Sequence, residues 1–114
     1  MKLWIDDVTP VPKGYSLVAL SVNTAKRLIQ MIEYRNERYG THTSEGITDD
    51  MEIELIDIGY DAGEYACDGE DYIKLLEWLE ETGRNYPIRI HSMNPFGVKN
   101  MRRIIQRNGW KEIR

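Results

Sequence analysis

The chain alternates between short apolar runs and longer stretches with helical spacing. Met1 to Ile5, M-K-L-W-I, predicts a strand that stops at the pair Asp6-Asp7. Val8 to Gly14 holds two prolines and predicts a loop, after which Tyr15 to Leu20 predicts a second strand with no helix between the two. Ser21 is a candidate N-cap, and Val22, Ala25, Leu28, Ile29 and Ile32 recur on one face of a helix running to about Arg38. Gly40 to Asp50 reads as a polar loop, with His42 expected in solvent. Met51 to Ile58 is a third strand, with Asp57 and Asp61 bracketing its exit. The glycine-punctuated loop Gly59 to Gly69 follows, and then a helix with Asp68 as its expected cap, Tyr72, Leu75, Leu76 and Leu79 on one face, and Gly83 as its end.

The last third carries the sharpest local pattern. Pro87 to Ser92 predicts a fourth strand, with Ile88 and Ile90 alternating against polar neighbours. Asn94 is a good N-cap and Pro95 suits the first helical position, where its missing N–H costs nothing. Val98, Met101, Ile104 and Ile105 share the apolar face of the helix that follows, and Asn108-Gly109 ends it. Trp110 to Ile113 reads as a short last strand. Strands and helices alternate three times, so a mostly parallel sheet with helices on both faces is expected, in one domain over residues 1–114.

A parallel sheet brings the carboxyl ends of its strands to one edge, where ligands bind. Asp6 and Asp7 leave the first strand, Asp57 and Asp61 the third, and His91, Ser92 and Asn94 the fourth, so all are expected to meet. Such a set of oxygen donors suits a hard divalent cation, and Asp6, Asp7, Asp57 and Asp61 are the expected ligands of Mg or Mn. The start of the last helix suits an anion, with Ser92, Asn94 and the backbone near Phe96 and Gly97 as the expected phosphate contacts.

Composition narrows the possibilities without deciding among them. At 41% hydrophobic and 30% charged, the 114 residues can bury a core without staples. Cys67 is the only cysteine, which excludes an internal disulfide and a thiol-based zinc site. No apolar run approaches membrane-spanning length and Met1 opens directly into a strand, so a cytoplasmic protein without membrane contact is expected. The net charge of −4 hides an acidic middle, Glu45 to Glu81, and a basic last helix bearing Lys99, Arg102, Arg103 and Arg107. That helix permits RNA contact, although no aromatic residues interleave with its bases.

The opening M-K-L-W-I-D-D-V-T-P with P-K-G-Y, and the stretch H-S-M-N-P-F-G-V-K-N-M-R-R-I-I, resemble the cyclic-phosphate processing receiver-like family, a branch of the response-regulator receiver fold. The resemblance implies a three-layer flavodoxin-like α/β fold of four to five strands in the order 2-1-3-4-5, and activity on cyclic phosphates. It also implies an Asp-His-Asp-Leu-Gly motif after the third strand, where this chain reads Gly59-Tyr60-Asp61-Ala62-Gly63. Two of the motif's functional side chains are therefore absent, and Asp57 is the carboxylate expected to stand in for the first.

On this resemblance the expected function is a phosphoesterase acting on a cyclic phosphate, at an RNA end or on a cyclic nucleotide. His91, Asp61 and Asp6 would be its catalytic residues. The alternative is a binding module for a phosphorylated nucleotide that has lost the chemistry. A phosphorelay receiver is the third reading, disfavoured because Gly59 stands at the acceptor position.

Overall fold

The computed structural model describes residues 1–7, 10–39, 52–60, 62, 66–92 and 94–114. These form strands β1 (Lys2–Ile5) and β2 (Tyr15–Ala19), helix α1 (Val22–Tyr39), β3 (Leu55–Ile58), α2 (Ile73–Glu81), β4 (Ile88–Ile90), α3 (Pro95–Asn108) and β5 (Glu112–Ile113). The strands make one sheet in the order β2-β1-β3-β4-β5, and every pairing is parallel. This is the receiver-like α/β arrangement that the alternation and the family resemblance imply.

The connections β2 to β3, β3 to β4 and β4 to β5 all advance in one direction across the sheet, and right-handed crossovers that advance one way lie on one face. Packing agrees: α1 contacts α2, α2 contacts α3, and all three helices share a single core with Leu3, Ile5, Ile56, Ile58 and Ile88. Among the described residues the three helices pack together over this core. Trp4 and Asp57, which alternate with those core residues, point the other way, and neither belongs to the core cluster.

Most local signals hold. Ser21 Oγ accepts the Thr24 N–H at 3.1 Å and caps α1. Asn94 caps α3 with Pro95 beside it, and Gly109 ends that helix in the left-handed conformation at φ 68°. Asp68 is the exception. Helix α2 starts five residues beyond it, and its carboxylate instead accepts from Ser21 Oγ at 2.6 Å and Asn23 Nδ2 at 2.9 Å, with its carbonyl taking the Asn23 N–H. Asp68 therefore ties the start of α1 to the loop before α2. His42 and the Gly40–Asp50 loop lie outside the described residues. No helix among the described residues is long and apolar enough to cross a membrane.

Candidate active site

The ladder continues one residue past β1, β3 and β4. Gly59 N–H donates to the Ile5 carbonyl and His91 N–H to the Ile58 carbonyl, both at 3.0 Å, so Asp6, Gly59 and His91 stand in a row along the carboxyl edge. One step behind, Trp4, Asp57 and Arg89 are register partners. Side chains alternate along a strand, so both rows project from the face that the helices leave open. The site is built from these two rows.

Asp57 is the fixed point. Its side chain is fully buried, yet every oxygen is engaged: Oδ1 faces His91 Nδ1 at 2.5 Å, and Oδ2 accepts from Arg89 Nη1 at 2.8 Å and from the Tyr15 hydroxyl. Burial by itself would raise the pKa of this carboxyl. The hydrogen bonds from His91, Tyr15 and Arg89 outweigh burial and hold it below the usual carboxylate range. An ionised carboxylate only accepts, so His91 Nδ1 carries the proton between them. In the same cluster burial and the bond to Asp57 push the Tyr15 phenol up, and Asp57 raises the Arg89 guanidinium.

His91 is pinned on three sides. Its ring stacks on Trp4 with centroids 3.8 Å apart and planes 4° from parallel, and Tyr15 meets the same indole edge-on at 5.1 Å. Nε2 lies 2.8 Å from Asp6 Oδ2, with both side chains about nine-tenths buried. The imidazole therefore bridges two carboxylates from different strands, Nδ1 turned to Asp57 and Nε2 to Asp6. The lack of a side chain at 59 makes this possible. A Cβ there would stand 3.3 Å from Asp6 Oδ2 and 3.4 Å from His91 Nε2, in the middle of the contact.

The expected phosphate contacts come together a short way along. Ser92 Oγ accepts the Asn94 N–H at 3.2 Å, and Asn94 Oδ1 accepts from the Phe96 and Gly97 amides at 3.0 and 3.1 Å. The two amides expected to meet an anion are thus bonded to the cap. Gly97 permits a close approach, but the visitor is Tyr60: a Cβ at 97 would fall 2.0 to 2.2 Å from its ring carbons. The Tyr60 ring therefore lies over the first turn of α3.

Of the carboxylates expected to hold Mg or Mn, Asp57 is unsuited, because its oxygens are taken and its side chain is inaccessible. Asp61 lies outside the described residues, and so its catalytic and ligand roles do too. Among the described residues no group of three or more histidine, cysteine or acidic side chains is arranged to hold an ion.

The family model for the cyclic-phosphate processing receiver domain matches residues 1–107. The chain belongs to that family. Neither a comparison with curated proteins nor one with solved structures gave a match. At Gly59 any side chain would begin between Asp6 and His91. The Tyr60 ring lies against Gly97.

Sequence reasoning found Asp6 and His91 as neighbours but missed Trp4, Tyr15 and Arg89. A signal existed for two of them. Trp4 lies two residues before Asp6 and Arg89 two before His91, so strand alternation places each on the same face as its functional neighbour. Tyr15 had none, because its reach to Asp57 crosses from the edge strand over β1.

Proposed function

We propose that the domain opens a cyclic phosphate ester by acid–base catalysis at His91. The observation that carries this is the chain Asp57–His91–Asp6, in which a buried carboxylate fixes Nδ1–H and leaves Nε2 as the atom at the sheet's carboxyl edge. Base and orienting acid stand in the geometry that general-base catalysis needs. Membership of a cyclic-phosphate processing family supports the substrate class.

One imidazole is enough for the reaction. Asp6 turns from Nε2 to hold a water, and Nε2 takes a proton from that water as its oxygen bonds to phosphorus and the ring P–O bond breaks. The same nitrogen then returns the proton to the departing alkoxide, giving a phosphate monoester from a 2′,3′-cyclic end. Asp6 orients the water. Ser92 and Asn94 lie close by at the positive end of α3, on the side where the phosphate would rest.

The test is turnover of 2′,3′-cyclic and 3′,5′-cyclic nucleotides by wild type beside His91→Ala and Asp57→Asn. Wild type is expected to open at least one, with both variants losing most of the rate. No product from either substrate would overturn this reading. The contact of Tyr60 with Gly97 favours a second one, a binding module in which the phenol ring offers a stacking surface in place of an imidazole. Titration calorimetry separates the two, since heat without product supports the binding module.

A further inference from the structure

The outward side of α3 carries groups that the chemistry at His91 does not use. Phe96, in the first turn, is 79% exposed, the most exposed large hydrophobic side chain among the described residues. Lys99 and Arg103 follow at three and seven residues on, spacings that keep them on Phe96's side of the helix. The helix's other arginines are engaged: Arg102 grips Glu112 through Nε at 2.9 Å and Nη2 at 2.7 Å, and Arg107 grips Glu80 at 2.6 and 2.8 Å. Among the described residues no carboxylate lies within ion-pair distance of Lys99 or Arg103. A groove lined by Pro95, Val98, Lys99, Arg102, Arg103 and Gln106 runs beside them.

An apolar ring left in water next to two uncompensated cations and a groove is the composition of a single-strand nucleic-acid surface, where bases stack on aromatic faces and the backbone follows the positive charge. An acidic peptide would use the cations and leave the ring idle. A mononucleotide carries one phosphate and cannot meet both cations, which are a turn apart. Phe96 is also two residues from the Asn94 cap, beside the His91 edge.

We propose that this side of α3 seats single-stranded RNA, one base on Phe96 and the backbone along Lys99 and Arg103, with the cyclic-phosphate end delivered to His91. The RNA assignment rests on the reading of His91 as the acid–base group for a cyclic phosphate, because a 2′,3′-cyclic end requires a ribose.

Fluorescence anisotropy with a labelled short oligoribonucleotide ending in a 2′,3′-cyclic phosphate tests the surface, with circular dichroism confirming that each variant folds. Wild type is expected to bind the oligomer more tightly than 2′,3′-cyclic AMP. Phe96→Ala is expected to weaken binding about tenfold. The double variant Lys99→Gln/Arg103→Gln is expected to reduce the slope of log affinity against log salt by about 1.4, at roughly 0.7 for each lost phosphate contact on a single strand. Equal affinity for oligomer and mononucleotide, wild-type binding by both variants, or equal competition by polyglutamate would each overturn the proposal. The catalytic reading fails separately: an oligomer bound through Phe96 and Lys99 but never opened refutes the chemistry and leaves the surface standing.

Discussion

Replacing Asp57 by Asn tests the fixed point of the site. The amide is nearly isosteric, so no cavity forms, but it can accept on one side only. Its oxygen is expected to keep Tyr15 and Arg89, which already share one carboxylate oxygen, and its NH2 then faces His91 Nδ1. The ring must change from donor to acceptor at that nitrogen, which moves its proton to Nε2. Two charge-assisted bonds become neutral, losing roughly half of their ~1.5–3 kcal/mol each, and relief of carboxylate burial offsets part of this. Arg89 is 41% exposed, so solvent screening reduces its share. The net expectation is a loss of about 2 kcal/mol at pH 7. Urea denaturation would show this as a midpoint shift of about 1 M, for a slope of roughly 2 kcal/mol per M.

The pH dependence fixes the sign. Asp57 has a folded pKa below its unfolded one, so its contribution is complete above the ordinary carboxylate value and is lost as pH falls through the depressed folded value. The part of the gap between wild type and Asp57→Asn that comes from the ionisation of Asp57 itself should therefore be complete above about pH 4 and close below it. Nitrogen-15 spectra of the imidazole report the tautomer directly. A gap that stays the same from pH 7 to pH 2, or a ring that keeps its proton on Nδ1 in the variant, would refute the account of Asp57 as the ionised holder of His91.

Other expectations test individual contacts. Gly59→Ala puts a Cβ within 3.4 Å of both Asp6 Oδ2 and His91 Nε2, so it should spread that pair by a few tenths of an ångström. Its effect on nucleotide turnover should exceed its effect on melting temperature, and an unchanged rate would show that the close contact is dispensable. Gly97→Ala gains about 1 kcal/mol of helix propensity but drives a methyl into Tyr60, at an overpacking cost of about 1–3 kcal/mol. It should destabilise the wild type and become neutral or stabilising in a Tyr60→Ala background, a coupling that a double-mutant cycle of unfolding energies measures. Trp4→Ala should cost about 3–5 kcal/mol, since the indole is 3% exposed, and should free the His91 ring to rotate, visible as broadened imidazole signals.

The residues alone determined the elements and their punctuation. Alternation marked the strands, and Ser21, Asn94-Pro95 and Gly109 marked helix ends, because capping and periodicity act within a few residues. The parallel order then implied that Asp6 and His91 share an edge, and they do. Tertiary structure decided the rest. Whether Asp57 meets a metal or an imidazole depends on register across three strands, and Asp68 finds Ser21 and Asn23 across 47 and 45 residues. Neither the empty place at Gly59 that lets Asp6 reach His91 nor the Tyr60 ring on Gly97 has a local signature. A missing side chain acquires meaning only from the atoms that chain folding brings around it.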